Sequence, residues 1–385
     1  MPNFITDTFT PPLLPFSEGG YDFLWEVLSP TSHYVLVRKE KVEFFITIKS
    51  KDNNHVIKGE KISRPSQVLF LQQALQIYAS RAKCNALFSN LKPSKNSRKI
   101  KNSISKDINE QNHTSSDEIY IEIGFGSGRH LLYQAKNNPQ KKVIGIEIHK
   151  PSLEQVARQR DALGLENVVL VDYDSRILME SLPSNSVEKI FVHFPVPWDK
   201  KPHRRVISDY FVEEALRVLK IGGALELRTD SELYFTYAVD TFLKNEKADV
   251  RIFKNFDLEI SSKYEDRWKR LEKNIYDVIL RNHQTSVEQE PLNTLHFDFY
   301  LNTDKIIDRF SPKLFKGEGF FVHFETLHTK GNEVVVIKTA FGANERAEHS
   351  FIIIDKNKAA YFPNNIYATK ANKMAHKIIA EWLYE

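Results

Sequence analysis

Hydrophobic residues recur along this chain in three rhythms. Residues 33–38 (HYVLVR) and 42–49 (VEFFITIK) are β-branched and aromatic with charged residues between them, which predicts two strands of a small sheet. After Pro65, the stretch SQVLFLQQALQIYA sets Val68, Leu71, Leu75 and Tyr78 at helical spacing. Residues 91–118 then lose every aromatic and become rich in Ser, Asn and Lys; they read as a polar, basic linker, longer than an ordered loop usually is. From 119 to 282 strand and helix signals alternate: IYIEI, VIGIEI, VVLV and EKIFVHF with helical stretches between them, then SDYFVEEALRVLK closing at Gly222-Gly223 before ALELR. That alternation predicts a mostly parallel sheet covered on both faces. Beyond residue 294 the rhythm changes again. Leu295, Phe297, Phe299 and Leu301 alternate with polar residues, strands at 319–327 and 333–341 flank the hairpin signal Lys330-Gly331-Asn332, FIIID gives another strand, and a terminal helix carries Met374, Ile378 and Trp382 on one side. The expected organisation is a β-rich module with a helix at 1–90, a linker at 91–118, an α/β domain at 119–285 and an α+β module at 290–385.

Composition narrows the classes. Aromatics are 12% of the 385 residues and 26 are Phe, which suits packed cores rather than disorder. The net charge of +4 is small, so an anionic partner would be met by local patches. One cysteine, Cys84, excludes an intrachain disulfide framework and suits a reducing compartment. No basic segment followed by an apolar run opens the chain, and no stretch approaches 18 uninterrupted apolar residues, so neither a signal peptide nor a membrane span is expected. The histidines form no metal signature. Lys92, Lys95, Arg98, Lys99, Lys101 and Lys106 make the linker either a solvated spacer or an arm for a nucleic acid backbone. Phe320, Phe321 and Phe324 suit a core or a base-stacking platform.

The chemistry concentrates in the α/β domain. In IEIGFGSGRHLLYQA a strand feeds Gly124, Gly126 and Gly128 before a helix, and glycine permits the positive φ and close approach that a ligand-cradling turn needs. The spacing G-x-G-x-G departs from the pyrophosphate fingerprint. Glu147 ends the next strand, 23 residues beyond Gly124, where an acid can accept both hydrogen bonds of a ribose diol. Asp174 follows the third strand, where an exocyclic amine could be met. Glu122 stands beside the glycine turn, where it would repel a pyrophosphate and welcome an ammonium. Acids in this pattern favour S-adenosylmethionine over NAD; the alternative is that they cap helices. Finally, HFPVPWDKKPHRRV joins a proline-stiffened corner to Lys200, Lys201, Arg204 and Arg205, a cluster suited to RNA phosphates.

The runs EIGFGSG, IGIEIH, FPVPWDKKPHRR, GGALELRTDSELY and SKYEDR, in this order, resemble the bacterial tRNA (guanine-N7-)-methyltransferase family over roughly residues 117–282. The resemblance implies a Rossmann-like class I methyltransferase domain that moves the methyl group of S-adenosylmethionine to N7 of guanine 46 in tRNA, in the cytoplasm. It implies cofactor contacts at Glu122, Glu147 and Asp174 and substrate contacts at Lys200, Asp230, Ser262 and Glu265. It assigns no catalytic residue, because Val196 stands where the family has an aspartate. The reaction tolerates this: N7 carries a lone pair and no proton, so no general base is needed, and alignment can supply about 7–11 kcal/mol. Two other readings remain open, a methyltransferase acting on another substrate and a tRNA-binding protein without activity.

Overall fold

The fold was obtained as a computed structural model, which describes residues 2–91, 100, 104–105, 118–260, 271, 273–289 and 292–385. In chain order the first segment holds β1 (Asn3–Thr10), β2 (Phe16–Glu18), β3 (Tyr21–Leu28), β4 (His33–Lys39), β5 (Val42–Lys51), β6 (Asn54–Gly59), α1 (Val68–Arg81) and β7 (Lys83–Ser89). The middle segment holds β8 (Ile119–Ile123), α2 (Arg129–Asn137), β9 (Lys142–Ile146), α3 (Lys150–Leu163), β10 (Val168–Val171), α4 (Ser175–Ser181), β11 (Val187–His193), α5 (Asp209–Val218), β12 (Leu219–Thr229), α6 (Glu232–Leu243), β13 (Asp249–Lys254) and β14 (Tyr276–Arg281). The last holds α7 (Thr303–Arg309), β15 (Lys313–Gly317), β16 (Phe320–Lys330), β17 (Val334–Ala343), β18 (Arg346–Asp355), β19 (Lys358–Phe362) and α8 (Lys370–Tyr384).

These segments form two compact units, residues 98–292 and residues 1–97 together with 293–385. The expected separate terminal modules are therefore corrected: both ends of the chain build one unit around one antiparallel sheet, ordered β19-β18-β17-β16-β3-β4-β5-β6-β1-β7. The join is short, with Leu28 opposite Thr329 in the ladder, but it is reinforced by side chains. Ser32 Oγ lies 2.9 Å from His328 Nε2, the Tyr34 ring stacks on His328 at 4.1 Å, and Phe45 meets Phe351 and Phe362 at 5.2 and 4.8 Å. Local periodicity shows that these strands exist; it carries no information about which strand a residue 300 positions away will pair with. α1 buries Leu71, Leu75 and Tyr78 on the N-terminal half of the sheet, and α8 buries Ala375, Ile379 and Leu383 on the C-terminal half. Phe324 is 0% exposed and belongs to that second core, so it is no base platform.

The other unit carries the site. Its sheet runs β10-β9-β8-β11-β12-β14-β13. The first five strands are parallel, β14 is antiparallel to β12, and β13 is antiparallel to β14. A mostly parallel sheet thus describes five strands of this unit and not the chain, whose larger sheet is antiparallel. α2 and α3 bury Leu131, Leu132, Ala135, Leu153, Val156 and Ala157 against Tyr120, Val143, Val168, Leu170 and Phe191. The alternate residues Ile121, Ile144, Ile190 and Val192 point to the opposite face and are buried too, which is why these strands read as continuous apolar runs. Gly222-Gly223 does not close α5. The helix ends at Val218 and the glycines lie inside β12, opposite a register shift at Val187/Lys189. Gly222 holds φ +79°, and a Cβ on Gly223 would stand 2.9 Å from the Glu188 carbonyl, so the pair forms a bulge that only glycine accommodates. Strand order reverses between β8 and β11, which opens a crevice at the carboxyl ends of these strands. Among the described residues no helix is long and apolar enough to cross a membrane.

Candidate active site

The glycine turn leaves β8 with three left-handed residues, Gly124, Gly126 and Gly128 at φ +69°, +52° and +73°. Each plays a different part. Gly124 N–H donates to the Ile146 carbonyl at 2.8 Å, and a Cβ there would point into open space. Gly128 caps α2, and a Cβ there would stand 2.4 Å from Val156 Cγ2, so its absence lets α2 and α3 close. Gly126 N–H donates to Glu147 Oε2 at 3.2 Å, while Ile148 N–H and His149 N–H each donate to Oε1 at 2.9 Å. Three backbone donors thus fix the Glu147 carboxylate at the tip of β9, beside the turn. Glu147 at the end of β9 and the glycine turn after β8 thus stand side by side.

Glu122 is buried, and its Oε2 accepts from His130 Nδ1–H at 2.8 Å on the first turn of α2. Gln134 Nε2 lies 3.0 Å from the other ring nitrogen of His130, so both nitrogens are engaged. His193, the last residue of β11, lies with its ring 4.4 Å from that of His130. Burial first, then the neighbouring His130 and Arg228, push the His193 imidazole well below its ordinary value, so it is neutral at physiological pH. The sequence marks His193 as a loop or site-wall residue, but its pairing with His130 in GRHLL was not legible there.

Asp174, expected to meet the cofactor, also has a structural role. Its carboxylate caps α4, accepting from Arg176 N–H at 2.9 Å, and pairs with the Arg176 guanidinium at 3.0 and 2.7 Å. An N-cap bond of this kind stabilises by about 1 kcal/mol, and the carboxylate stays partly exposed at the carboxyl end of β10. Asp172, two residues earlier, is held by Lys150 at 2.5 Å.

The loop after β11 turns on two bulky residues in the left-handed region, Phe194 at φ +49° and Trp198 at +48°. Non-glycine residues there cost of order 1–3 kcal/mol each and persist only where their surroundings hold them. Phe194 N–H donates to the Arg228 carbonyl at 2.7 Å, which continues the ladder into the loop. Val196 is 60% exposed. Lys200, Lys201, His203 and Arg204 are exposed, with Arg204 5.1 Å above the Trp198 ring. Arg205 differs, and its assignment to RNA phosphate is corrected. It is 6% exposed, its Nε donates to the Pro197 carbonyl at 2.7 Å, and its Nη2 reaches Asp199 Oδ1 at 3.4 Å. The short 3-10 turn at Pro202–Arg204 sends neighbouring arginines opposite ways.

Asp230, just past β12, accepts from Lys273 Nζ at 3.0 Å. Ser262 and Glu265 lie outside the described residues, as do the linker cations Lys92, Lys95, Arg98, Lys99, Lys101 and Lys106. Between β12 and β14, Arg228 is 1% exposed and donates to both oxygens of Asp277 at 2.6 and 2.5 Å and to the Phe256 carbonyl at 2.8 Å. A cavity of about 370 Å³ lies beside this pair, walled by His130, Phe191, His193, Glu226, Phe256 and Asp277 among others.

Residues 116–278 match the family model described as "Putative methyltransferase". The tRNA (guanine-N(7)-)-methyltransferase of Wolinella succinogenes is 42% identical over 391 residues, spanning 100% of both chains. Proteins of the same name from Campylobacter fetus subsp. fetus and Helicobacter hepaticus are 39% and 36% identical, each over 100% of this chain and 99% of its own. The chain belongs to the tRNA (guanine-N(7)-)-methyltransferase family. A solved SAM dependent methyltransferase from Aquifex aeolicus is similar over 43% of this chain and 82% of its own, at 21% identity and a TM-score of 0.31.

The similarity to these relatives extends over both terminal segments. The residues present fit the cofactor of such an enzyme. The open space beside Gly124 admits a ligand against the backbone, and the fixed Glu147 carboxylate presents an acceptor to it without a phosphate-binding fingerprint. Among the described residues no group of three or more His, Cys, Asp or Glu side chains is placed to hold a metal ion.

Proposed function

We propose that this chain is a cytoplasmic enzyme that transfers the methyl group of S-adenosylmethionine to N7 of a guanine in tRNA, at position 46. The observation that carries the reading is the fixed Glu147 carboxylate over the glycine turn, on the same rim as an exposed cationic loop. β9, β8, β11 and β12 are successive neighbours in the sheet. At about 4.8 Å per step their tips span roughly 14 Å, the reach of one nucleoside with a base beside it. Relatives spanning the whole chain bear the name of this activity.

The cofactor supplies an electrophilic methyl on a sulfonium. Glu147 receives the ribose hydroxyls, Gly124 and Gly126 allow close approach, and Glu122, held by His130, sets a negative charge under the amino-acid end. On the substrate side, Lys200, Lys201 and Arg204 meet phosphates, and Asp230 accepts from the guanine N1–H and amine by sharing its carboxylate with Lys273. Adenine offers no such donor pair. The guanine becomes cationic as it reacts, and the charge near Asp230 favours that state. The family resemblance assigns further substrate contacts to Ser262 and Glu265. With Val196 exposed and apolar, the task of the loop is placement of the substrate.

The test is methylation of unmodified tRNA, digestion, and mass spectrometry for 7-methylguanosine, with Glu147→Ala in parallel. We expect the nucleoside from the parent and a loss of at least tenfold in the variant. A parent that makes no 7-methylguanosine sinks the proposal.

A further inference from the structure

We propose that Arg205 is a positioning residue for methyl transfer, a clamp that sets the distance between the loop after β11 and the tip of β12. This rests on reading those two tips as the substrate-facing ones. The guanidinium lies 4.9 Å from the Tyr234 ring and 4.7 Å from the Tyr237 ring, both on α6. Its edge holds the loop through the Pro197 carbonyl at 2.7 Å and Asp199 at 3.4 Å. One side chain therefore ties α6 to the two residues that flank Trp198.

Each end of the clamp borders a group with a substrate role. Asp199 directly precedes Lys200. α6 begins at the Ser231 cap, whose hydroxyl accepts from Tyr234 N–H at 3.2 Å, and Ser231 directly follows Asp230. Tyr234 is itself fixed, fully buried, with its hydroxyl accepting from Ile207 N–H at 3.1 Å. The loop also needs a restraint at this end. Phe194 is held by the Arg228 carbonyl, whereas the left-handed turn at Trp198 is bracketed by the two contacts of Arg205. The geometry calls for arginine. A planar group can offer ring faces to two tyrosines while its edge donates in two directions, and an ammonium cannot. A nearby positive charge also suits this loop little for its own sake, since Lys200, Lys201 and Arg204 already supply it; the buried arginine acts through shape.

The experiment compares the full-length parent with Arg205→Lys, Arg205→Met and Tyr237→Leu. Five quantities are read: kcat and KM for unmodified tRNA, the cofactor dissociation constant by calorimetry, the melting temperature, and the rate of tryptic cleavage after Lys200 and Arg204. Arg205→Met is expected to lower kcat at least tenfold, with KM for tRNA and the cofactor constant within about threefold, because Lys201 and Arg204 still hold phosphate. Cleavage in the loop should accelerate at least fivefold. Arg205→Lys should fall between parent and Arg205→Met, and Tyr237→Leu should show the same pattern in weaker form. Should Arg205→Met fail to fold, Tyr237→Leu carries the test, since it leaves Arg205 and its bond to Pro197 in place. Parent-like kcat in the folded variants overturns the inference, and so does a loss that merely follows cofactor affinity and melting temperature. An inactive parent would instead sink the methyltransferase reading; unchanged loop cleavage would still sink the clamp.

Discussion

Replacing Arg228 with methionine tests a buried ion pair of the catalytic unit. Arg228 is 1% exposed and donates to both oxygens of Asp277 at 2.6 and 2.5 Å, and to the Phe256 carbonyl at 2.8 Å. Methionine fills most of the volume but leaves Asp277, whose side chain is 14% exposed, facing an apolar neighbour. Orphaning one partner of a buried pair costs about 3–5 kcal/mol. The residual exposure of Asp277 lets water recover some of this, while the lost bond to Phe256 adds about 1 kcal/mol. A net loss of about 3–4 kcal/mol follows, which for a domain of roughly 150–250 residues lowers Tm by about 6–16 °C. Adding Asp277→Asn removes the stranded charge and should recover at least about 1.5 kcal/mol, so the double variant is more stable than the sum of the singles implies. Urea unfolding and calorimetry of all four proteins close the cycle. A single-variant cost below about 1 kcal/mol, or strict additivity, would show that the pair is neither buried nor coupled as described.

Gly128→Ala combines a left-handed φ of +73° with a Cβ 2.4 Å from Val156, and it should destabilise by about 2–5 kcal/mol in chemical denaturation; an effect under 1 kcal/mol would contradict the α2–α3 packing. His328 is held at about 4 by burial, then by His33, Lys49 and Lys338, against about 6.5 when exposed. The unfolded chain therefore takes the proton first, stability is full well above pH 6.5 and is lost as pH falls toward 4, and about 1.6 kcal/mol should disappear between pH 6.5 and 5. His328→Phe should flatten that dependence, and an unaltered pH profile would refute it. Lys201→Ala and Arg204→Ala should each weaken tRNA binding uniformly and reduce the salt slope by roughly one unit, whereas Arg205→Lys should leave the slope unchanged. Asp174→Ala should cost about 1 kcal/mol through the lost cap while cofactor affinity by calorimetry changes less than threefold; a tenfold loss would restore the ligand role that the sequence suggests.

Legibility differed from residue to residue. Glu147 was readable because its distance from the glycines follows from one helix and one strand, whose lengths the periodicity fixes. The cap and ion pair of Asp174 with Arg176, two residues on, depend on the backbone turn that opens α4, which spacing alone does not reveal. Arg204 and Arg205 are chemically identical neighbours. One faces solvent and the other lies between tyrosines contributed by α6, a distinction that exists only once α6 is packed beside the loop. His130 and His193, far apart in sequence, meet only because β8 and β11 are neighbours in the sheet.

From the sequence alone come the alternating strands and helices of residues 119–282, the glycine turn with Glu147 beyond it, and the resemblance to a family, since these depend on covalent geometry and short-range spacing. Tertiary structure decided that the two ends of the chain share one sheet, that Asp174 caps a helix, and that Arg205 lies buried behind the loop. The reason is physical: periodicity tells a side chain which face of its own element it occupies, but only chain closure determines what stands opposite that face.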